Sequence, residues 1–254
     1  MMINIIKYSK QVEIIKKNIK DFEYAIFQTV STAKNVSYYW NDGYTQSFFS
    51  EIDKENQYTN ELINVLYHVL SLMTLLSTTY SDINIQKQYL LDISGGIIDS
   101  DDFIIKDDDE ETIDKKNQIN NMIINAEDKI ADMISKINVP YIKKLNFENL
   151  DIQKPNQGFI GMLEGIDTEI KKVESGTQEA KRSCDALKDS LYSTISLYNS
   201  INNRKISRII NELDDGLQTL IVNLENSYNY IKDRKNTYKN LFEKSTNSIN
   251  RLEK

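Results

Sequence analysis

One histidine and one cysteine occur in 254 residues, His68 and Cys184, and that inventory limits the chemistry open to the chain. The common zinc sites take several Cys or His ligands, and a disulfide framework takes at least two Cys. A Ser-His-Asp triad or a Cys-His pair would have to recruit His68. His68 falls in an apolar helical stretch, which suits a residue at the edge of a core, with a ligand or pH-switch role as the alternative. Cys184 reads as a small buried hydrophobe, and a single thiol requires no oxidising compartment. Gly158, Gly161 and Gly165 are wrongly spaced for a phosphate-cradling loop and are followed by no Lys-Ser or Lys-Thr. No catalytic residue, no cofactor and no metal site is assigned from these residues, and the chain is read as non-enzymatic.

Charge is concentrated. Eight acids and one lysine lie between Asp99 and Glu111, a net −7 that equals the charge of the whole chain. The remainder is therefore neutral, with no basic face to neutralise phosphates, so no nucleic-acid partner is expected. The block lacks the glycine and the alternating ligands of an EF-hand loop. A solvated loop is the expectation, with calcium binding as the alternative. The 15 tyrosines read as amphipathic surface and seam residues, since no Arg- or Lys-rich groove accompanies them as it would in a base-stacking array.

The elements that must position these residues are helices. Eight Gly and two Pro make about 4% of the chain, against an average near 12%, and long helices are the class that needs few breakers. In residues 3–36 the apolar positions Ile5, Val12, Ile15, Ile19, Phe22, Ile26 and Val30 mostly step by three or four, the mark of an amphipathic helix. Trp40-Asn41-Asp42-Gly43 supplies a turn. A second helix is predicted from about Thr45 to Thr79, so that 1–93 reads as a helical hairpin. Ser94-Gly95-Gly96 opens an acidic loop over 94–111. A bridging helix from about Thr112 to Ile137, and a linker bracketed by Pro140 and Pro155, fill 112–157. A second hairpin occupies 158–254, with its turn near Asn202-Asn203. The expected class is all-α: two long antiparallel hairpins that can pack as a four-helix bundle.

The opening MMINIIKYSKQVEIIKK has no n-region, h-region and cleavage site in order, so no cleaved secretory signal is expected. Leu62 to Leu76 is the longest apolar stretch, shorter than the ~20 residues of a spanning helix and interrupted by Asn64 and His68. It reads as a helix buried on most faces, and membrane contact is not expected. The two halves also form a candidate internal repeat. A shift of 162 places Trp40 on Asn202, Phe48 on Ile210, Leu62 on Leu224, Leu66 on Tyr228 and Val69 on Ile231. These apolar pairs form a helix-packing stripe in each half.

Trp40, Phe48 eight residues later, and the stripe Leu62, Leu66 and Val69 resemble the W-x-G (ESAT-6-like) helical-hairpin proteins of type VII secretion. The glycine is Gly43, one place later than the family's, with Asp42 in the usual slot. The family's Tyr-x-x-x-acid export signal has no counterpart after the second helix; the sole such pair is Tyr38 with Asp42, inside the turn. Trp40, Asp42, Gly43 and Phe48 are the turn and partner-contact candidates. Trp40 can equally act as a packing plug at the hairpin tip, and Asn41 or Asp42 can cap the second helix. The resemblance implies a secretion substrate or helper, exported without a cleaved signal peptide and otherwise cytoplasmic. It also implies either a helical protein partner or pairing of the two hairpins within the chain. A membrane-active helical toxin and a coiled-coil structural adaptor are the alternative functions.

Overall fold

In a computed structural model of the chain, the described residues are 5–36, 39, 43–94, 97–99, 102–104, 110–147, 163–197 and 202–252. They form five helices, α1 (Ile5–Asn35), α2 (Gly43–Ser94), α3 (Glu110–Lys136), α4 (Leu163–Leu197) and α5 (Asn203–Leu252). The protein is all-α, as its shortage of chain-breakers requires. In α1 the buried side chains Ile15, Ile19, Phe22, Ile26, Val30 and Ala33 follow the predicted three-and-four spacing. Moving α1 by 162 residues brings its last residue onto Leu197, where α4 ends.

Two boundaries differ from the sequence reading. Helix α2 runs on to Ser94 instead of stopping near Thr79. Nothing between those residues breaks a helix, and Ile83 and Leu90 in the extension bury against Ile119 and Ala126 of α3. The acidic segment expected as a loop contains a short antiparallel ribbon, β1 (Ile97–Asp99) with β2 (Asp102–Ile104). Ile97 pairs with Ile104, Ile98 with Phe103, and Asp99 with Asp102. The paired residues are mainly β-branched or aromatic, types that suit a pleated ribbon despite the acids beside them. The Pro-bracketed linker begins as expected: residues 137–147 carry no helix or strand, and 148–157 lie outside the described residues.

The chain divides into two compact units that do not follow the sequence divisions: Met1–Ile19 with Asn64–Val139 and Leu187–Leu213, and Lys20–Ile63 with Pro140–Ala186 and Asp214–Lys254. Long helices make this possible, because lateral contacts group stretches of helices that are distant in the chain. In the first unit, Tyr80, Met122 and Ile123 pack around the α2–α3 cluster. There the Tyr80 hydroxyl donates to Glu127 Oε1 at 2.7 Å, and Asn202 Nδ2 donates to Glu127 Oε2 at 2.7 Å. The Asn202 carbonyl accepts the amides of Lys205 and Ile206, which starts α5.

In the second unit four helix segments close a ring. Lys34 of α1 pairs with Asp53 of α2, and in the first unit, nearer the start of α1, Ser9 bonds to Ser77 of α2, so the numbers of these two helices run in opposite senses. Along α2, Phe48, Glu55 and Leu62 meet Tyr230, Asn223 and Gly216 of α5, so the numbers run in opposite senses. Lys181 and Glu174 of α4 meet Glu225 and Tyr228 of α5, again in opposite senses. Gly176 of α4 abuts Thr29 of α1, and Gly165 abuts Tyr39 beyond the end of α1. Every neighbour in the order α1, α2, α5, α4 is antiparallel, which is the arrangement of a four-helix bundle.

The α1–α4 contact depends on a missing side chain. A β-carbon at Gly176 would collide with the Thr29 hydroxyl, which is buried and bonded to the Ala25 carbonyl at 2.7 Å. Gly176→Ala is therefore expected to destabilise the protein by about 1–3 kcal/mol, although alanine favours a helix by about 1 kcal/mol over glycine. Adding Thr29→Ala should restore most of the loss in urea unfolding. An additive double mutant would show that the two helices are not in contact there.

Candidate functional site

Helix periodicity does not explain an extended strap, residues 140–147, which lies along α2 and α5 in the second unit. Its apolar side chains Ile142, Leu145 and Phe147 are buried, while Tyr141, Lys143, Lys144 and Asn146 are exposed. Ile142 sits by Gly216 and Leu62, at a point where the glycine leaves room for both side chains. Phe147 meets Phe48 and Tyr230, with ring centroids 5.6 and 6.0 Å away. Phe48 and Tyr230 stack at 5.3 Å with only 10° between their planes.

Asn223 clasps the strap between these two apolar ends. Its Oδ1 accepts the Leu145 amide at 2.8 Å, and its Nδ2 donates to the Lys143 carbonyl at 3.1 Å. One side-chain amide thus matches the backbone N–H and C=O of an extended segment two residues apart, as a neighbouring strand would. The second hydrogen of Nδ2 goes to Glu55 Oε2 at 2.7 Å. All three polar positions of the Asn223 side chain are used, and the residue is fully buried.

Glu55 is almost fully buried at 1% exposure, and its Oε1 has no hydrogen-bond partner, nor has the hydroxyl of Thr59 one turn further along α2. Removal from water pushes the Glu55 carboxyl up to about 8, an effect only partly offset by the Asn223 hydrogen bond. Glu55 therefore carries its proton at neutral pH. Beside the clasp, Lys144, Phe147, Asn226, Tyr230, Asp233 and Arg234 help to line a cavity of about 640 Å³. The Arg234 guanidinium lies 5.4 Å from the centre of the Tyr230 ring.

The residues singled out from the sequence are placed unevenly. Trp40 and Asp42 lie outside the described residues, and Gly43 is the first residue of α2. Phe48 is fully buried, so in this fold it packs the interior of the second unit instead of offering a surface to a partner. Of the packing stripe, Leu62, Leu66, Val69, Leu224 and Ile231 are buried. Tyr228 is half-buried and donates its hydroxyl to Glu174 at 2.8 Å. His68 is exposed on α2, not at a core edge, and Cys184 is buried. Among the described residues no group of three or more His, Cys, Asp or Glu is placed to hold a metal.

Glu55 and Asn223 were not singled out from the sequence. The run Asp53-Lys54-Glu55-Asn56-Gln57 reads there as a polar interruption of the α2 stripe. The signal was the spacing: Ile52, Glu55, Thr59 and Leu62 continue one helical face, so Glu55 and Thr59 occupy positions that belong to the interior. Comparison of the chain with family models, with curated proteins and with solved structures returns no match.

Proposed function

We propose that the chain is a non-enzymatic helical protein–protein interaction protein, a type VII secretion substrate or helper in which two W-x-G-like hairpins are paired within one polypeptide. One observation carries this reading. In the second unit the segments of both hairpins form a ring of four helices whose neighbours are all antiparallel, with Leu62, Leu224 and Ile231 buried. Proteins of the W-x-G family reach such a bundle by pairing two separate hairpins; here a single chain supplies both. The stripes are covered without a partner, so a partner meets the outer surface of the helices. On this reading the protein is exported.

Light scattering of the purified protein, with circular dichroism on the same sample, is expected to return a highly helical monomer of 29.5 kDa. A dimer, or weakly helical material, would sink the self-paired arrangement and direct attention to co-purifying small helical proteins.

A second reading, a membrane-active helical protein, is favoured by one specific observation. Helix α2 contains, within Gln46–Asp92, a stretch long and apolar enough to cross a membrane, 44% of it buried. Dye release from lipid vesicles at micromolar protein would support that reading, and intact vesicles would leave the interaction protein standing alone.

A further inference from the structure

We infer that Glu55 is a proton-operated latch for the strap: a protonated carboxyl keeps residues 140–147 clasped along α2 and α5, and loss of the proton favours their release. The geometry couples the two events through one side chain. The Nδ2 group of Asn223 gives one hydrogen to Glu55 Oε2 and the other to the Lys143 carbonyl, while its Oδ1 holds the Leu145 amide. A carboxylate at this place would leave charge on Oε1, a buried atom with no donor to meet it. A neutral carboxyl avoids that cost.

Among the described residues, no charge acts on the Glu55 carboxyl to relieve its ionised form. On α2 itself, Glu51 and Lys54 pair with each other, and Asp53 pairs with Lys34 of α1. On the strap, the side chains of Lys143 and Lys144 are exposed. On α5, Glu225 pairs with Lys181 of α4. The balance against the carboxylate is set by burial, with Asn223 as the only counterweight.

Release of the strap lets water reach the carboxyl, which then ionises near its ordinary value of 4.5 instead of about 8. Between those two values the open form binds fewer protons than the closed form. Opening should therefore become easier by about tenfold per pH unit across that window and level off above it. The strap is held most firmly in acid.

The test is amide exchange at Leu145, followed by NMR from pH 5 to 9 in the full-length protein and in Glu55→Gln, whose amide cannot ionise. The ratio of opening in the native protein to opening in the variant is expected to rise about 400-fold between pH 5 and 8 and to flatten above that. A ratio that does not change with pH overturns the latch. So does a Leu145 protection equal to that of the central amides of α2 and α5, because Glu55 would then titrate with unfolding of the helices. If Glu55→Gln fails to fold, the carboxyl carbon shift of Glu55 in the native protein decides the question. A midpoint near 8 supports the inference, and one near 4.5 overturns it.

Discussion

Glu55→Gln is expected to raise the unfolding free energy at pH 7 by about 3 kcal/mol and to leave it almost unchanged below pH 4.5. The folded carboxyl, held by burial, keeps its proton to about pH 8, whereas in the unfolded chain it loses the proton near 4.5. Within that window the unfolded state binds fewer protons, so the native protein loses stability as pH rises, by about 1.4 kcal/mol per unit. Glutamine keeps an oxygen to accept from Asn223 and cannot ionise. Its amide can turn toward Thr59, whose hydroxyl has no other partner. Urea unfolding of both proteins at pH 4, 6 and 8 provides the check, because subtracting the curves cancels every other titrating group. A difference that stays constant with pH would mean that Glu55 ionises normally in the folded protein.

Phe48→Ala is expected to cost about 3–5 kcal/mol, the range for deleting a fully buried phenylalanine. Phe48 lies at 0% exposure, stacks on Tyr230 and touches Phe147, so its loss opens a cavity beneath both α5 and the strap. The ring–ring geometry adds to the simple burial term. Phe48→Leu, which refills part of the volume, should recover roughly half of the loss. Because the hole lies under Phe147, Phe48→Ala should also reduce amide protection at Leu145 more than it does at the α1–α4 contact around Gly176. A cost below about 1 kcal/mol would show that the aromatic cluster is not packed as described.

Leu62, Leu224 and Ile231 are interior, as their spacing predicts, and the turn preceding α5 falls at Asn202-Asn203. Such features are local. A 3.6-residue repeat and the positions of Gly and Pro act within a few residues, so a linear reading recovers them. The sequence by itself determined the all-α class, the approximate helix ends and the apolar stripes. Where it missed locally, at the end of α2 and at the ribbon Ile97–Asp99 with Asp102–Ile104, packing on α3 or β-pairing of apolar residues outweighed the polar composition nearby.

The clasp was decided by tertiary structure alone. Asn223 and Glu55 are 168 residues apart, and Asn223 is 78 residues from Leu145. The spacing along α2 puts Glu55 on an interior face, but neither residue has a partner in its own stretch of chain. Burial becomes affordable only because each supplies what the other lacks: Asn223 Nδ2 is a donor for the carboxyl, and Glu55 Oε2 is an acceptor for that amide. That complementarity does not exist until α2, α5 and the strap are brought together, and no spacing along the chain encodes it.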